Sequence, residues 1–200
     1  MLRLQKRPFE QISDNLALID SLAADYIGIS ELSGENPNPV FAKSMNLFAL
    51  LDDANVLPTL DAVNKEVAIN LMIDTLADKV DEQTLAQIRK GVLERESVMS
   101  TGVGKGLAIP HCKTTVVTEN FAAFARLTQP IDFKSIDGVP VQIIFLLVGP
   151  DGKHSDHIKL LSRISRLMNS ASFHEKLLKS DTSQRIIEAF KEEEEKYFLN

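Results

Sequence analysis

The stretch TGVGKGLAIPHCKT, residues 101–114, contains the residue types most able to perform chemistry, including one of only four histidines. His111 follows Pro110, whose ring fixes the backbone ahead of it and restricts where the imidazole can point. No carboxylate lies close in sequence to keep the imidazole protonated, and Lys105 and Lys113 flank it. A neutral imidazole is a nucleophile, and the lysines favour an anionic group nearby. Two interpretations stay open on these residues alone: a nucleophile, or a hydrogen-bonded structural histidine at a strand end.

The glycines of this stretch resemble a phosphate-binding loop, but their spacing argues against one. A Walker loop needs a glycine five residues before its Gly-Lys pair and a serine or threonine after it. Met99 and Gly106 occupy those two positions. The dinucleotide-binding pattern would require a glycine at position 107, which is Leu107. We therefore predict a tight loop whose backbone approaches another segment closely.

A second pair of histidines, His154 and His157, lies three residues apart and shares one face of a predicted helix. Such a pair could supply half of a metal site, although the usual further ligands are not evident in the sequence. One alternative hypothesis is therefore a metal hydrolase that uses His111, His154 and His157. The fourth histidine, His174, is predicted to be an ordinary helix residue.

The hydrophobic pattern outlines the elements that must position these residues. Strands are predicted at residues 121–127 and 141–149, and GLAIPH is predicted to be a short buried strand that ends at His111. Strands that alternate with helices predict an α/β domain with a mixed sheet. A first helix is predicted after an Asn64 cap, with Val67, Leu71 and Leu76 on its apolar face. Another is predicted at residues 154–168, with Ile158, Leu161 and Ile164 on its apolar face. Further helices are predicted at residues 82–95, 172–179 and 182–195.

The acidic run KEEEEK, residues 191–196, is predicted to be a solvated helix face. Residues 1–44 are predicted to be a helical appendage with a linker, because apolar residues recur at helical spacing between Ile12 and Leu22 and residues 33–39 are rich in turn formers. Residues 45–200 form the predicted main domain.

Composition narrows the class of protein. The chain has 200 residues, of which 44% are apolar and 25% charged, as in an ordinary globular protein. A net charge of −6 argues against nucleic-acid binding, and no apolar run approaches the roughly 18 residues of a membrane span. The single cysteine, Cys112, cannot form an internal disulfide, which fits a reducing cytoplasm.

The segment LERESVMSTGVGKGLAIPH, residues 93–111, resembles the phosphorylation-site signature of the type 2 enzyme IIA family of the bacterial phosphotransferase system. The matching residues are the pair Arg95-Glu96, the turn Thr101-Gly102 and the run from Ala108 to His111. The likeness extends from about Met45 to the C-terminus and leaves residues 1–44 without a counterpart.

The resemblance implies an α/β phosphocarrier without a cofactor that accepts a phosphoryl group from phospho-HPr on His111. Transport members pass this group to a IIB domain, whereas regulatory members use their phosphorylation state to control other proteins. Arg95 matches the arginine that helps to hold the phosphoryl oxygens; without the resemblance it would be interpreted as a surface arginine of a helix. His157, but not His154, matches a second active-site histidine that hydrogen-bonds the phosphoryl group.

Lys105 stands where many members have an uncharged polar residue, and Cys112 is expected to have a packing role. The main alternative is a binding module that keeps the fold but acts without phosphorylation; the joint presence of Arg95, His111 and His157 argues against it. Since the sequence contains no IIB-like or membrane part and carries an unmatched N-terminal segment, we expect a regulatory role.

Overall fold

A computed structural model describes residues 46–198 of the chain, with the backbone alone for His154 and Phe198. The helix predicted between Ile12 and Leu22 and the linker predicted at residues 33–39 lie outside the described residues. None of the helices in the described range combines the length and the apolar character needed to cross a membrane.

The described core is a six-stranded mixed sheet in the order β1-β5-β6-β3-β2, with β4 also paired to β6. Strand β6 is antiparallel to β5 but parallel to both β3 and β4. The predicted α/β fold with a mixed sheet is thereby confirmed. The strands are β1 Val56–Leu60, β2 Gly102–Gly104, β3 Leu107–Ala108, β4 His111–Thr114, β5 Phe121–Ile131 and β6 Val141–Pro150.

Helices cover both faces of this sheet. They are α1 Lys65–Asp74, α2 Glu82–Val98, α3 His154–Met168, α4 Ala171–Lys179 and α5 Ser183–Phe198. Along β6, Ile144, Leu146 and Val148 pack in one hydrophobic cluster with residues of α1 and α2, and the alternate residues pack in a second cluster with α3, α4 and α5. Burial of both faces explains the almost continuous apolar run in this strand.

Two predicted apolar faces were partly wrong. In α1, Val67 and Leu71 are partly exposed, whereas Ala68, Ile69, Met72 and Ile73 are buried. The helix is apolar over most of its circumference, so periodicity alone did not identify the buried stripe. In α3, Ile158 is exposed and the buried residues include Leu160 and Ile164. Ile158 lies about 100° around the helix from His157, which places it outside the buried stripe.

The prediction that the acidic run of α5 is a solvated helix face was partly wrong. Glu194 is fully buried, and its carboxylate accepts hydrogen bonds from the backbone N–H groups of Leu47 and Phe48, each at 3.0 Å. Arg163 of α3 lies 3.3 Å from the same carboxylate. The helical period turns one side of the run toward the domain, so Glu194 joins the start of the described chain to α3 and α5.

We predict that Glu194→Ala lowers the free energy of unfolding by about 3 kcal/mol, because it removes a buried carboxylate that interacts with Arg163 and accepts hydrogen bonds from two backbone N–H groups. Urea unfolding followed by circular dichroism measures the change. The neighbouring Glu195 is exposed, so Glu195→Ala should alter the free energy of unfolding by less than about 0.5 kcal/mol. Equal effects of the two substitutions would contradict a structural role for Glu194.

Candidate functional site

The glycine-rich segment forms a tight connection between β2 and β3. Gly104, Lys105 and Gly106 have consecutive φ angles of 99°, 54° and 76°, which glycine adopts readily and lysine does not. The Asp137 carboxylate accepts a hydrogen bond from the backbone N–H of Lys105 at 2.7 Å. The loop backbone therefore closely approaches another segment, as predicted from the sequence, and the N–H of Lys105 is hydrogen-bonded to the Asp137 carboxylate.

A buried carboxylate fixes this loop to the helices. Glu96, near the end of α2, accepts hydrogen bonds from the backbone N–H and hydroxyl of Thr101 at 3.0 and 2.5 Å. Its other oxygen lies 2.9 Å from Lys65 Nζ, at the start of α1. The carbonyl of Thr101 in turn accepts a hydrogen bond from the backbone N–H of Ile109 at 2.9 Å. These contacts set the backbone that leads to His111.

The predicted strand that ends at His111 was wrong: β3 stops at Ala108, Ile109 and Pro110 belong to no strand, and His111 is the first residue of β4. Pro110 has no backbone N–H with which to continue a strand ladder. One hydrogen bond defines the chemistry of the His111 ring. Its Nδ1 lies 2.7 Å from the carbonyl oxygen of Ile109. A carbonyl oxygen can only accept, so Nδ1 must carry the hydrogen. In the neutral ring, Nε2 is therefore the nitrogen with the lone pair.

The surroundings keep this ring neutral. Burial lowers the pKa of His111 below its ordinary value of 6.5, and the positive charge of Arg95 lowers it further. The hydrogen bond to Ile109 and the charge of Glu96 raise the pKa of His111, but they do not offset the lowering. The imidazole of His111 is consequently uncharged at neutral pH.

His111 lines a largely apolar cavity of about 510 Å³ that also includes Arg95 and Lys105. Arg95 donates a hydrogen bond to the carbonyl of Met99 at 2.9 Å. His174, which lies in α4 as predicted, also lines this cavity. The other lining residues are Met99, Ser100, Thr101, Gly102, Val103, Gly104, Leu107, Ile109, Ile136, Asp137, Leu161, Ser165, Met168 and Asn169.

His157 lies beside His111, with the two ring centroids 5.8 Å apart and the ring planes tilted by 49°. It belongs to the first turn of α3 and is only 3% exposed. The structure thus brings the three predicted site residues, Arg95, His111 and His157, into one region; their roles remain predictions. The side chain of His154 lies outside the described atoms, and the described side chains include no group of three that could hold a metal ion.

Cys112, next to His111, points away from this chemistry into the core. Its side chain packs against Gly91 of α2, where an added Cβ would lie 3.4 Å from Sγ. Burial raises the pKa of the Cys112 thiol to about 12, so it stays protonated. The arrangement agrees with the packing role expected from the sequence.

The model of the family described as "Phosphoenolpyruvate-dependent sugar phosphotransferase system, EIIA 2" matches residues 49–193. The chain belongs to this family. This EIIA 2 chain is 39% identical over 131 residues to a nitrogen regulatory protein of Bradyrhizobium diazoefficiens, a match that covers 66% of this chain and 85% of that protein. It is 37% identical over 124 residues to a fructose-specific EIIA component of Haloferax volcanii, covering 61% and 79% of the two chains.

Solved structures support the same fold. The nitrogen regulatory protein IIA-Ntr of Neisseria meningitidis aligns with a TM-score of 0.68 at 24% identity, over 72% of this chain and 98% of the other. A complex of enzyme IIAMTL with phosphorylated enzyme IIBMTL of Escherichia coli aligns with a TM-score of 0.59 at 18% identity, over 71% of this chain and 97% of the other. At these identities the likeness concerns the fold alone.

Sequence reasoning missed several residues that shape the site. Glu96 was noted only as part of a motif, although the buried carboxylate anchors the loop before His111. Asp137 gave no local signal, because its contact with Lys105 joins positions 32 residues apart. Nothing in the sequence indicated that His174 lies near the site, other than its being one of the four histidines.

We predict that Arg95→Gln raises the pKa of His111, because it removes a positive charge that disfavours protonation of the ring. Titration of the histidine C–H resonances by NMR measures this pKa, which should lie below 6.5 in the unmodified chain. His174 is an internal control, since burial alone lowers its pKa. Equal upward shifts for both histidines would indicate a general structural change and contradict a direct effect of Arg95.

Proposed function

We propose that this EIIA 2 chain is a cytoplasmic phosphocarrier that accepts a phosphoryl group from phospho-HPr on Nε2 of His111. The observation that carries the proposal is the 2.7 Å hydrogen bond between Nδ1 and the Ile109 carbonyl. It holds the hydrogen on Nδ1 and leaves the Nε2 lone pair available for attack on phosphorus.

The transfer needs no proton relay. The Nε2 lone pair forms the new N–P bond while the N–P bond of the donor phosphohistidine breaks and its electron pair returns to the donor ring. Phosphoryl transfer depends mainly on positioning and on stabilisation of charge over the phosphoryl oxygens. Arg95 lines the same cavity as His111 and supplies a guanidinium suited to these oxygens.

The apolar cavity favours transfer between proteins over loss to water. Met99, Val103 and Ile136 line it and remain partly exposed, so a carrier protein can cover them. Such contact would exclude water from the phosphoryl group during transfer. His157, adjacent to His111, is assigned the supporting role of donating a hydrogen bond to the phosphoryl group.

We predict that incubation with enzyme I, HPr and phosphoenolpyruvate adds one acid-labile phosphoryl group to the chain, as measured by intact mass. His111→Ala should abolish this addition because it removes the nucleophile. His154→Ala is the matched histidine control and should retain it. Normal labelling of His111→Ala would refute the assignment, and no labelling of the unmodified chain would favour a binding module that acts without phosphorylation.

The proposed role is regulatory rather than specific to one sugar. Support comes from the similarity to a nitrogen regulatory protein and from the unmatched N-terminal part of the chain. We propose a division into an appendage, residues 1–44, and a phosphocarrier domain, residues 45–200. The alternative is delivery of the phosphoryl group to a IIB sugar-transport component, which the similarity to a fructose-specific EIIA component supports.

We predict that deletion of the gene leaves the uptake of each sugar in a panel unchanged, because no single transport route depends on a regulatory IIA protein. Uptake of labelled sugars measures the effect in the host organism. Loss of uptake of one sugar, restored by the wild-type gene but not by His111→Ala, would instead establish a transport component.

A further inference from the structure

Gly149, near the end of β6, is a point of close approach between two polar side chains. Phe121 of β5 pairs with Val148 of β6 in an antiparallel register, so Asn120 lies opposite Gly149 at the next position. A Cβ at Gly149 would lie 2.6 Å from Asn120 Oδ1 and 2.8 Å from His157 Nδ1. These distances leave no room for a side chain, and glycine here allows both atoms to reach the same place.

The sheet places the two histidines and Asn120 in a defined order. Strand β6 has β4, which begins with His111, on one side and β5, which follows Asn120, on the other. His157 reaches down from α3 to Gly149 on β6, and its ring also lies 5.8 Å from that of His111. His157 is therefore flanked by His111 and by Asn120.

Asn120 Oδ1 is buried and accepts no hydrogen bond within the described part of the chain. Buried amide oxygens in folded proteins almost always have a donor. The ring nitrogen of His157 nearest to Gly149 is Nδ1, and it and Asn120 Oδ1 approach the same point, the position of a Cβ on Gly149, without forming a hydrogen bond in the described structure. An N–H at Nδ1 is the donor that the position offers.

We propose that Asn120 is a positioning residue for His157, whose Nδ1–H it accepts at Oδ1 above Gly149. This contact fixes both the tautomer and the rotation of the ring, as acceptors behind functional histidines do elsewhere. The Nε2 atom of His157 then faces the phosphoryl group on His111. Once Nε2 has taken a proton from solvent, it donates a hydrogen bond to that phosphoryl group. The inference deepens the proposed function and rests on it for this last step.

The test begins with the unphosphorylated full chain labelled with ¹⁵N. Long-range ¹H–¹⁵N correlation spectra distinguish the two tautomers of each histidine. His157 should carry its hydrogen on Nδ1 in the wild type and in Asn120→Asp, which keeps an acceptor oxygen. Asn120→Leu has a similar shape but no acceptor, so it should lose this pattern. The Nδ1–H of His111, held by Ile109, reports in the same spectra that the site remains folded.

The second measurement is the rate of phosphoryl acceptance from phospho-HPr, which Asn120→Leu should lower about tenfold. An Nε2–H tautomer of His157 in the wild type, or an unchanged tautomer in Asn120→Leu, would overturn the inference. A changed tautomer with a rate within twofold of wild type would overturn the role of Asn120 in transfer. Absence of phosphorylation in the wild type would instead refute the proposed function, since the tautomer measurement needs no phosphoryl group.

Discussion

The hydrogen bond from His111 Nδ1 to the Ile109 carbonyl is the constraint on which the site depends. It joins a side chain to a backbone group only two residues earlier, so it forms only if the chain turns correctly between them. Residues far from the turn stabilise it. The Thr101 carbonyl accepts a hydrogen bond from the Ile109 N–H, and Glu96 accepts one from Thr101 and forms an ion pair with Lys65. Two helices and a loop therefore cooperate to fix which nitrogen of one imidazole is free.

The surroundings of His111 combine an apolar cavity with few charges. Burial and Arg95 both disfavour a cationic imidazole, so the guanidinium that helps to keep His111 uncharged is also the one proposed to bind the phosphoryl oxygens. The positive charge of Arg95 disfavours a proton on the His111 ring before the proposed transfer. In the proposed transfer the same charge would stabilise the negative charge of the phosphoryl oxygens.

Features carried by neighbouring residues could be predicted from the sequence, whereas features joining distant segments could not. The glycines before Pro110 indicated the tight loop, and the α/β class followed from alternating strands and helices. The strand expected to end at His111 was wrong, since His111 begins β4. The buried role of Glu194 and the pairing of Asn120 with Gly149 depend on strand register and helix rotation. Neither is encoded in local spacing, because the same residues in another register would face solvent.

The buried carboxylate of Glu194 also brings the beginning and the end of the described domain together. Because Leu47 and Phe48 bond to it from one end and α5 supplies it from the other, the two ends lie side by side. A domain with adjoining ends can be inserted within a longer polypeptide or circularly permuted with little disturbance elsewhere. Such modularity would let one phosphoryl-transfer unit be combined with different neighbours without redesign of its active site.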